Sequence, residues 1–512
     1  MPLRHAVIGA LTLVVACSAL AAEEPPATTL DEASLAMAVR IRDDAMRDTE
    51  AFEILESLTT EVGARAPGTP ADLRAVEWAK AKFTELGFDR VRTEPVTFPN
   101  WQRRHERGEI LAPYPHALHL TALGGSIGTG GKPLEAEVVE FATFDALQAA
   151  SPEVVRGKIV YVGNRMARAK DGSGYGPAVA VRSGGAHAAA KLGAVALMIR
   201  SIGTDSHRFP HTGMGVSSKI LTDPDWAHAV TRTESGLPVV ATPIPAVALS
   251  NPDADLLSRV LERSRPVRVR LDLDVGYEGE FTSQNVIGEI TGSEHPDEVV
   301  VIGAHLDSWD LGTGAVDDGA GVALTMAAAS TIRRVAGAPK RTIRVVAFAN
   351  EEQGLWGGRA YAAAHAGEVA KHVIGAESDF GAGKVYAIRF AVAPHAIDAA
   401  AKIAALLEPI GIVADGKPAS PGPDIGAIAE AGMAYATLAQ DGTDYFDLHH
   451  TADDTLDKVD PKSLDQNAAA YAVFAYLAAQ AEGGFGSAPK AAEPAPPPSS
   501  SPSPAPQGRV GE

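Results

Sequence analysis

Short apolar runs, each followed directly by polar residues, recur in the second half of this chain. Residues 299–304 (VVVIGA) form an aliphatic run of strand length, and residues 343–349 (IRVVAFA) and 372–376 (HVIGA) repeat the pattern. Runs without polar alternation are typical of parallel strands that are covered on both faces. We therefore predict an α/β fold with a mixed, mostly parallel sheet flanked by helices.

The polar residues that follow these runs are candidate ligands. His305 and Asp307 follow the first run, Glu351 and Glu352 follow the second, and Asp379 follows the third. In open α/β sheets, ligands bind outside the carboxyl ends of the strands, so side chains far apart in sequence can meet there. We expect these side chains to share one site.

Two further clusters complete the set: Asp317-Asp318, in a glycine-rich turn, and His450. Any one of these clusters alone could be a helix cap or an ordinary turn. Together they offer two histidines and several carboxylates without a cysteine, which is the ligand chemistry of a divalent metal such as zinc. The combination predicts a two-metal hydrolase.

The remaining pattern divides the chain. Residues 30–92 have apolar residues at helical spacing, interrupted at 63–68, and residues 91–98 alternate like a strand. Between 126 and 275 the pattern changes to short strands with glycine-rich connections: we predict strands at 157–162, 193–199 and 244–249 and a helix at 183–192. A further strand is predicted at 435–438.

The amino terminus predicts export. Arg4 and His5 precede an apolar run at 6–16, which is too short to span a membrane and has the length of a signal-peptide core. Cys17, the only cysteine, follows Ala16 in a pattern resembling a bacterial lipobox, so lipid anchoring through Cys17 and ordinary cleavage after Ala21 both stay open. We expect a periplasmic, secreted or lipoprotein-anchored protein without disulfides.

Composition agrees with a large exported enzyme. With 512 residues, 46% hydrophobic and 21% charged, the chain can bury a large core and more than one domain. With a net charge of −19, the chain has no positive electrostatic field that would attract a phosphate backbone, so nucleic acid is not an expected partner. The proline-, serine- and alanine-rich tail predicts disorder.

Five motifs carry a resemblance to a known family. They are HLDSWD (305–310), VDDGAG (316–321), NEEQG (350–354), ESDFG (377–381) and HHTADDT (449–455). The set resembles the co-catalytic dizinc exopeptidases that include plasma glutamate carboxypeptidase and bacterial leucyl aminopeptidases. The resemblance extends over nearly the whole chain between leader and tail.

The resemblance implies two zinc ions per subunit and assigns the ligands by motif position. One ion would be bound by His305 and Asp379, the other by Glu352 and His450, and both by the bridging Asp317. The same comparison makes Glu351 the general base and gives Asp307 the role of supporting His305. It also implies that Asp318 shapes the loop next to a cis peptide bond.

The residue pattern predicts a signal peptide at 1–22 and a disordered tail at 486–512. The resemblance implies the first part of a peptidase domain at 23–125, an inserted β-rich protease-associated domain at 126–275 and the second part of the peptidase domain at 276–485. The insertion could be a passive spacer or a lid that limits access to short peptides. We expect its histidines His187, His207 and His211 to be surface residues without a metal role. Tyr445 is a candidate substrate contact.

The predicted function is an exported zinc exopeptidase acting on dipeptides or the ends of short peptides. Aminopeptidase and carboxypeptidase polarity both stay open. A single-zinc glutaminyl cyclase and a non-catalytic binding relative are the alternatives from other functional classes. The resemblance also suggests a homodimer.

Overall fold

The computed structural model describes residues 25–217 and 230–488, and the structural statements below refer to these two ranges. The signal segment, Cys17 and residues 489–512 of the predicted tail lie outside them. The strands are β1 (Arg90–Ala112), β2 (His116–Leu118), β3 (Leu120–Ala122), β4 (Leu134–Phe141), β5 (Ile159–Val162), β6 (Ala196–Arg200), β7 (Thr231–Arg232), β8 (Pro238–Val239), β9 (Ala246–Leu249), β10 (Arg268–Ile290), β11 (His295–His305), β12 (Arg341–Phe348), β13 (His372–Glu377), β14 (Val385–Ala391) and β15 (Tyr435–Gln440).

The helices connect these strands and cover their faces. They are α1 (Glu32–Ala45), α2 (Ala51–Ser57), α3 (Pro70–Glu85), α4 (Phe144–Gln148), α5 (Pro152–Val155), α6 (Tyr175–Lys191), α7 (Asn251–Arg263), α8 (Ala320–Ala336), α9 (Trp356–Ala364), α10 (Ile397–Leu407), α11 (Gly426–Glu430), α12 (Tyr445–Leu448) and α13 (Pro461–Gln480). Side chains of Asp31, Thr69, Ser250 and Asp460 accept backbone N–H groups and so cap α1, α3, α7 and α13. Within the described ranges, no helix has both the length and the apolar character needed to cross a membrane.

One large sheet organises the described residues, with strand order β14-β15-β13-β11-β12-β10-β4-β5-β6-β9-β3. The three strands predicted from apolar runs, β11, β12 and β13, lie side by side and are parallel, with β11 in the middle. Helices cover both faces, as the buried runs predicted. The α/β fold with a mixed, mostly parallel sheet is therefore confirmed.

The helix layer on one face of this sheet contains α8 and α13, two strongly buried helices. Along α13 the residues from Gln466 to Ala479 are buried, and α8 is buried from Ala320 to Ala329. A helix that is apolar on all sides must be covered on all sides, and α13 contacts the sheet as well as α1, α2, α8 and α10. These helices fix the strands from which the candidate ligands extend.

Two strands of 23 residues each, β1 and β10, run antiparallel to one another along most of their length. One end of β10 pairs with β12, where Val286 faces Ala347, and its other end pairs with β4, where Val269 faces Ala136. The sequence predicted only residues 91–98 of β1 as a strand. The continuation to Ala112 carries charged residues and register shifts, which hide the alternation that identifies a strand.

The segment between these long strands forms its own half of the sheet. Strands β4, β5, β6 and β9 are parallel, and helices α4 to α7 connect or flank them. Strands β2 and β3 pair with β1 and β9, so sheet pairing in this half already includes residues before 126. Helix α6 begins at Tyr175, earlier than the predicted 183. The sequence pattern did not predict these first turns, because they are rich in glycine, alanine and valine and have no clear polar face.

A buried carboxyl group joins the first turn of α3 to β10. Asp72 accepts hydrogen bonds from the backbone N–H of Gly68 at 2.9 Å and from the hydroxyl of Ser283. Burial, only partly offset by these two hydrogen bonds, raises the pKa of Asp72 to about 6. The folded protein therefore holds a proton here more tightly than the unfolded chain does.

We predict that Asp72→Asn stabilises the protein above pH 6 and changes little below pH 4. The folded pKa lies above the unfolded value of 3.8, so the free energy of unfolding falls as the pH rises from about 4 to about 6. Asparagine cannot ionise, so it removes the cost of burying a charged carboxylate, which is about 1 to 3 kcal/mol. Thermal melts at pH 4, 6 and 8 measure the effect, with Asp398→Asn, an exposed aspartate in the first turn of α10, as control. An equal change in melting temperature at all three pH values would contradict it.

Candidate metal centre

The strand ends bring the candidate ligands together, as the sequence predicted. His305 is the last residue of β11, Glu351 and Glu352 follow β12, and Asp379 follows β13. His305 Nε2 lies 3.6 Å from a carboxylate oxygen of Asp379. Residues from three neighbouring strands thus converge at one edge of the sheet.

Asp317 lies between two histidines and directs one carboxylate oxygen to each. Its Oδ1 is 3.1 Å from His305 Nε2, and its Oδ2 is 3.2 Å from His450 Nε2. His450 Nε2 is also 2.9 Å from Glu352 Oε2. Each oxygen of Asp317 therefore faces a histidine that has a second carboxylate beside it.

Asp318 is the neighbouring candidate, because its carboxylate also lies within 4.8 Å of ligand atoms of His305 and Asp379. Both of its oxygens already accept backbone N–H groups, from His305 at 3.2 Å and from Gly321 at 3.1 Å. Asp318 therefore fixes the turn, whereas Asp317 is directed into the site. The peptide bond between these two aspartates is cis, as the family resemblance implied.

Asp307 connects the end of β11 to the loop after β12. Its backbone carbonyl accepts from His305 Nδ1 at 3.1 Å, while its carboxylate is 3.7 Å from the same nitrogen. The carboxylate accepts the backbone N–H groups of Glu351 at 3.0 Å and Glu352 at 3.3 Å. Asp307 thus orients His305 mainly through its carbonyl and orients both glutamates through its side chain.

Two residues outside the predicted set support Asp317. Asp454 accepts the backbone N–H groups of Val316 at 2.6 Å and Asp317 at 3.2 Å. Burial, with a smaller contribution from the charge of Asp317, raises the pKa of Asp454 to about 7. Asp454 belongs to the HHTADDT motif, but nothing in the motif itself shows that it would reach Asp317.

Arg65 is the second residue that sequence reasoning missed. Its side chain is fully buried and donates hydrogen bonds to the carbonyl groups of Leu306, Thr313 and Gly314, on both sides of the loop that leads to Asp317. Among the described residues it has no carboxylate within salt-bridge distance. Its charge nevertheless lies near Asp454, Asp307 and Asp317. A single arginine between glycine, alanine and proline residues gives no signal of this role.

Burial of several carboxyl groups in one place changes how readily they ionise. Burial, followed by the charge of Asp379, raises the pKa of Glu351 well above its usual value. Burial also raises the pKa of Glu352 to about 7 and that of Asp379 above normal. For His305, burial alone would lower the pKa, but hydrogen bonds to Asp307 and Asp317 raise it well above normal. The site therefore favours positive charge among its carboxylates.

The donor set fits a divalent metal. Asp317 Oδ2 and Glu352 Oε1 are buried and accept no hydrogen bond from the described residues. Buried polar atoms normally have partners, so these oxygens are available to a cation. Imidazole nitrogens and carboxylate oxygens together are ligands that zinc accepts.

A cleft of about 500 Å³ opens onto this cluster. Asp317, Glu351, Glu352, Asp379 and His450 line one part of it, and Tyr445, the candidate substrate contact, lines it as well. The Tyr445 ring packs against Phe380 and His449. A volume of this size is sufficient for a small peptide.

The segment between β1 and β10 also reaches this cleft. Arg182 and Met214 line it together with the candidate ligands. His207 is exposed, as expected, but the expectation that His187 and His211 are surface residues is wrong, since they are 6% and 1% exposed. The Nε2 of His211 lies 3.1 Å from His449 Nδ1, a contact across 238 residues that no local pattern could reveal.

Comparisons with known proteins agree with this geometry. Residues 285–475 match the sequence profile of Peptidase family M28. Carboxypeptidase Q from Bos taurus is 34% identical over 431 residues, covering 84% of this chain and 85% of that protein. Carboxypeptidase Q from Homo sapiens is 32% identical over 434 residues, with the same coverage of both chains.

Two solved structures show the same fold. A Peptidase M28 precursor from Shewanella amazonensis SB2B is 46% identical, with a TM-score of 0.82 over 90% of this chain and 100% of that chain. A zinc aminopeptidase from Bacillus subtilis has a TM-score of 0.60 at 18% identity, covers 85% of this chain and 96% of that chain, and is similar in fold alone. From its similarity to carboxypeptidase Q over most of both chains, we conclude that this chain belongs to Peptidase family M28 and is a peptide-bond hydrolase.

Proposed function

We propose that this peptidase is an exported dinuclear zinc exopeptidase that hydrolyses dipeptides or removes a terminal residue from short peptides. The observation that carries the proposal is the position of Asp317, with one oxygen 3.1 Å from His305 and the other 3.2 Å from His450. A carboxylate that serves two histidines, each beside a further carboxylate, suits two adjacent ions. His305 and Asp379 would bind one ion, Glu352 and His450 the other, and Asp317 both.

Zinc ions at these positions would supply Lewis acidity, which lowers the pKa of water and polarises a peptide carbonyl. The protein's own contribution is positioning and proton transfer. Asp307 fixes the backbone of Glu351 and Glu352 through two hydrogen bonds, so one glutamate can act as ligand while its neighbour faces the cleft. Asp454 and Arg65 keep the loop carrying Asp317 in place.

Glu351 is the proposed general base. It lines the cleft, and its pKa is raised mainly by burial and then by Asp379, so a proton taken from water is held rather than lost. The same carboxyl group can then give that proton to the leaving amine. Glu352, its neighbour, is directed to His450 and is therefore committed to a different role.

Arg182 favours substrates with a free carboxyl terminus. Its side chain is buried, lines the cleft, and donates to the Thr212 carbonyl at 3.3 Å and the Tyr175 hydroxyl at 2.8 Å. Among the described residues, its Nε has no hydrogen-bond partner and no carboxylate lies within salt-bridge distance. A buried guanidinium without an anion is costly, and the carboxylate of a peptide would compensate it. This observation favours carboxypeptidase or dipeptidase polarity over aminopeptidase polarity.

We expect Glu351→Gln to bind two zinc ions per chain, like the wild type, and to lose roughly 10²- to 10⁴-fold in kcat. Glutamine retains the shape of glutamate but cannot accept the proton. Metal content by mass spectrometry and hydrolysis of a dipeptide library provide the two measurements. Substantial turnover by the metal-replete variant would rule out Glu351 as the base, and one zinc per wild-type chain would contradict the dinuclear site.

We also expect Arg182→Gln to lower kcat/KM for dipeptides with a free carboxylate by about 10- to 100-fold, the range of a hydrogen-bonded ion pair. The same dipeptides with an amidated carboxyl terminus should be hydrolysed equally by variant and wild type. Arg359→Gln is the matched control, because Arg359 lines the same cleft but is exposed. Equal losses on free and amidated substrates would show that Arg182 does not recognise the carboxylate.

Export rests on the apolar run at 6–16 and the residues that follow it. The intact mass of the mature protein should show either a lipid-modified chain beginning at Cys17 or an unmodified chain beginning after Ala21. A mass that retains residues 1–16 would contradict export through this segment.

A further inference from the structure

The metal-ligand candidate His450 is carried by a short segment, residues 444–450, which we call the ligand segment. It contains α12 (Tyr445–Leu448), a helix of four residues, followed by His449 and His450. His450 has φ of 60°, a left-handed conformation that is unfavourable for a residue with a side chain. Such a conformation persists only where surrounding contacts impose it.

Asp447 supplies one set of these contacts. Its side chain is only 6% exposed and faces the half of the sheet between β1 and β10. Its carboxylate accepts the backbone N–H and the hydroxyl of Thr204, the backbone N–H of Asp205 at 3.3 Å, and a guanidinium N–H of Arg168. All of these donors lie in the segment between β1 and β10, which we call the inserted part of the chain.

Thr212 supplies the second set, directly at His450. Its backbone N–H donates to the carbonyl oxygen of His450 at 3.0 Å, and its own carbonyl lies 3.4 Å from His450 Nδ1. Thr212 is itself fixed, because its hydroxyl donates to the Ala122 carbonyl and accepts from Arg103, each at 2.9 Å. The neighbouring His211 contacts His449.

The inserted part and the ligand segment approach each other so closely that glycine is required at the contact. Gly213 has φ of 118°, and a Cβ added to it would lie 2.8 Å from His450 Nδ1. Gly203 has φ of 117°, and its added Cβ would lie 2.9 Å from the carbonyl oxygen of Phe446. The inserted part therefore contacts both ends of the ligand segment through its backbone.

We propose that the inserted part of the chain is a positioning element of the metal centre: Arg168, Thr204 and Thr212 form a clamp that holds the ligand segment so that His450 faces Asp317 and Glu352. The inference rests on the proposed role of His450 as a zinc ligand and assigns a new role to residues far from it in sequence. The carbonyl of Thr212 faces Nδ1 of the His450 imidazole, so Nε2 is directed toward the carboxylates of Asp317 and Glu352. Asp447 fixes the helix from which the histidine extends.

The clamp changes what removal of the inserted part would test. Deleting residues 130–270 would test whether the inserted part is a lid that limits access to short peptides, but it would also remove Arg168, Thr204 and Thr212. Such a protein should therefore lose affinity for zinc at His450 in addition to any change in substrate size. Single substitutions at Asp447 separate the two effects, because they leave the inserted part in place.

The test compares zinc binding by full-length wild type, Asp447→Asn and Asp444→Asn. Asp444 is the matched control, since it pairs with the same Arg168 but is 74% exposed. The metal-free proteins are titrated with zinc in competition with a chromophoric chelator, and His450→Ala identifies the ion that depends on His450. We expect Asp447→Asn to lower the affinity for that ion by about 10- to 100-fold and to leave the affinity for the other ion unchanged. Asp444→Asn should change either affinity by less than about twofold.

If Asp447→Asn binds both ions with wild-type affinity, the clamp is overturned. It is also overturned if the affinity for both ions falls equally, because that result indicates a general structural defect. If Asp447→Asn does not fold, Thr204→Val can be used instead, because it removes a hydroxyl that donates to the Asp447 carboxylate. This variant should lower the affinity only for the His450-dependent ion. An unchanged Thr204→Val would then overturn the proposal. A wild type that binds fewer than two ions refutes the dinuclear site itself, and with it the clamp, before any variant is compared.

Discussion

Mutual repulsion among buried carboxylates is the constraint around which this site is built. The edge of the sheet collects many acidic side chains, and they fall into two groups according to their hydrogen bonds. The carboxylates of Asp307, Asp318, Asp454 and Glu377 accept backbone N–H groups and thereby shape the loops. Those of Asp317, Glu352 and Asp379 accept none from the described backbone and are directed to histidines instead. The division separates residues that build the site from residues that can bind cations.

Positive charge in this region comes from several directions. Arg65 is buried beneath the loop and is satisfied by carbonyl groups, so its charge remains available to all the surrounding carboxylates. Arg182 lines the cleft and belongs to helix α6. Asp317 Oδ2 and Glu352 Oε1 are buried without a hydrogen bond from the described residues, and a bound cation would balance their charge. Within the cleft, the Arg182 guanidinium is therefore the fixed cation that we propose to bind the negative end of a substrate.

Much of the fold and of the site could be predicted from the sequence because both depend on local patterns. The apolar runs at 299–304, 343–349 and 372–376 form neighbouring parallel strands, so their terminal residues had to meet. Arg65, His211 and Asp447 could not be found in this way, because their roles arise from contacts across hundreds of residues. The length of β1 was also hidden, since its second half alternates irregularly and pairs with a strand more than 150 residues away. Roles that depend on tertiary contacts leave no periodic signal.

The two long strands have a consequence for how such a protein can change over generations. Because β1 and β10 both extend from one half of the sheet to the other, the inserted part is joined to the rest of the chain through two paired strands. A genetic exchange that replaced only this part with a relative's version would have to preserve the register along both strands and the contacts with residues 444–450. Changes in either half are therefore constrained by the pairing of these two strands, through which the chain enters and leaves the second half.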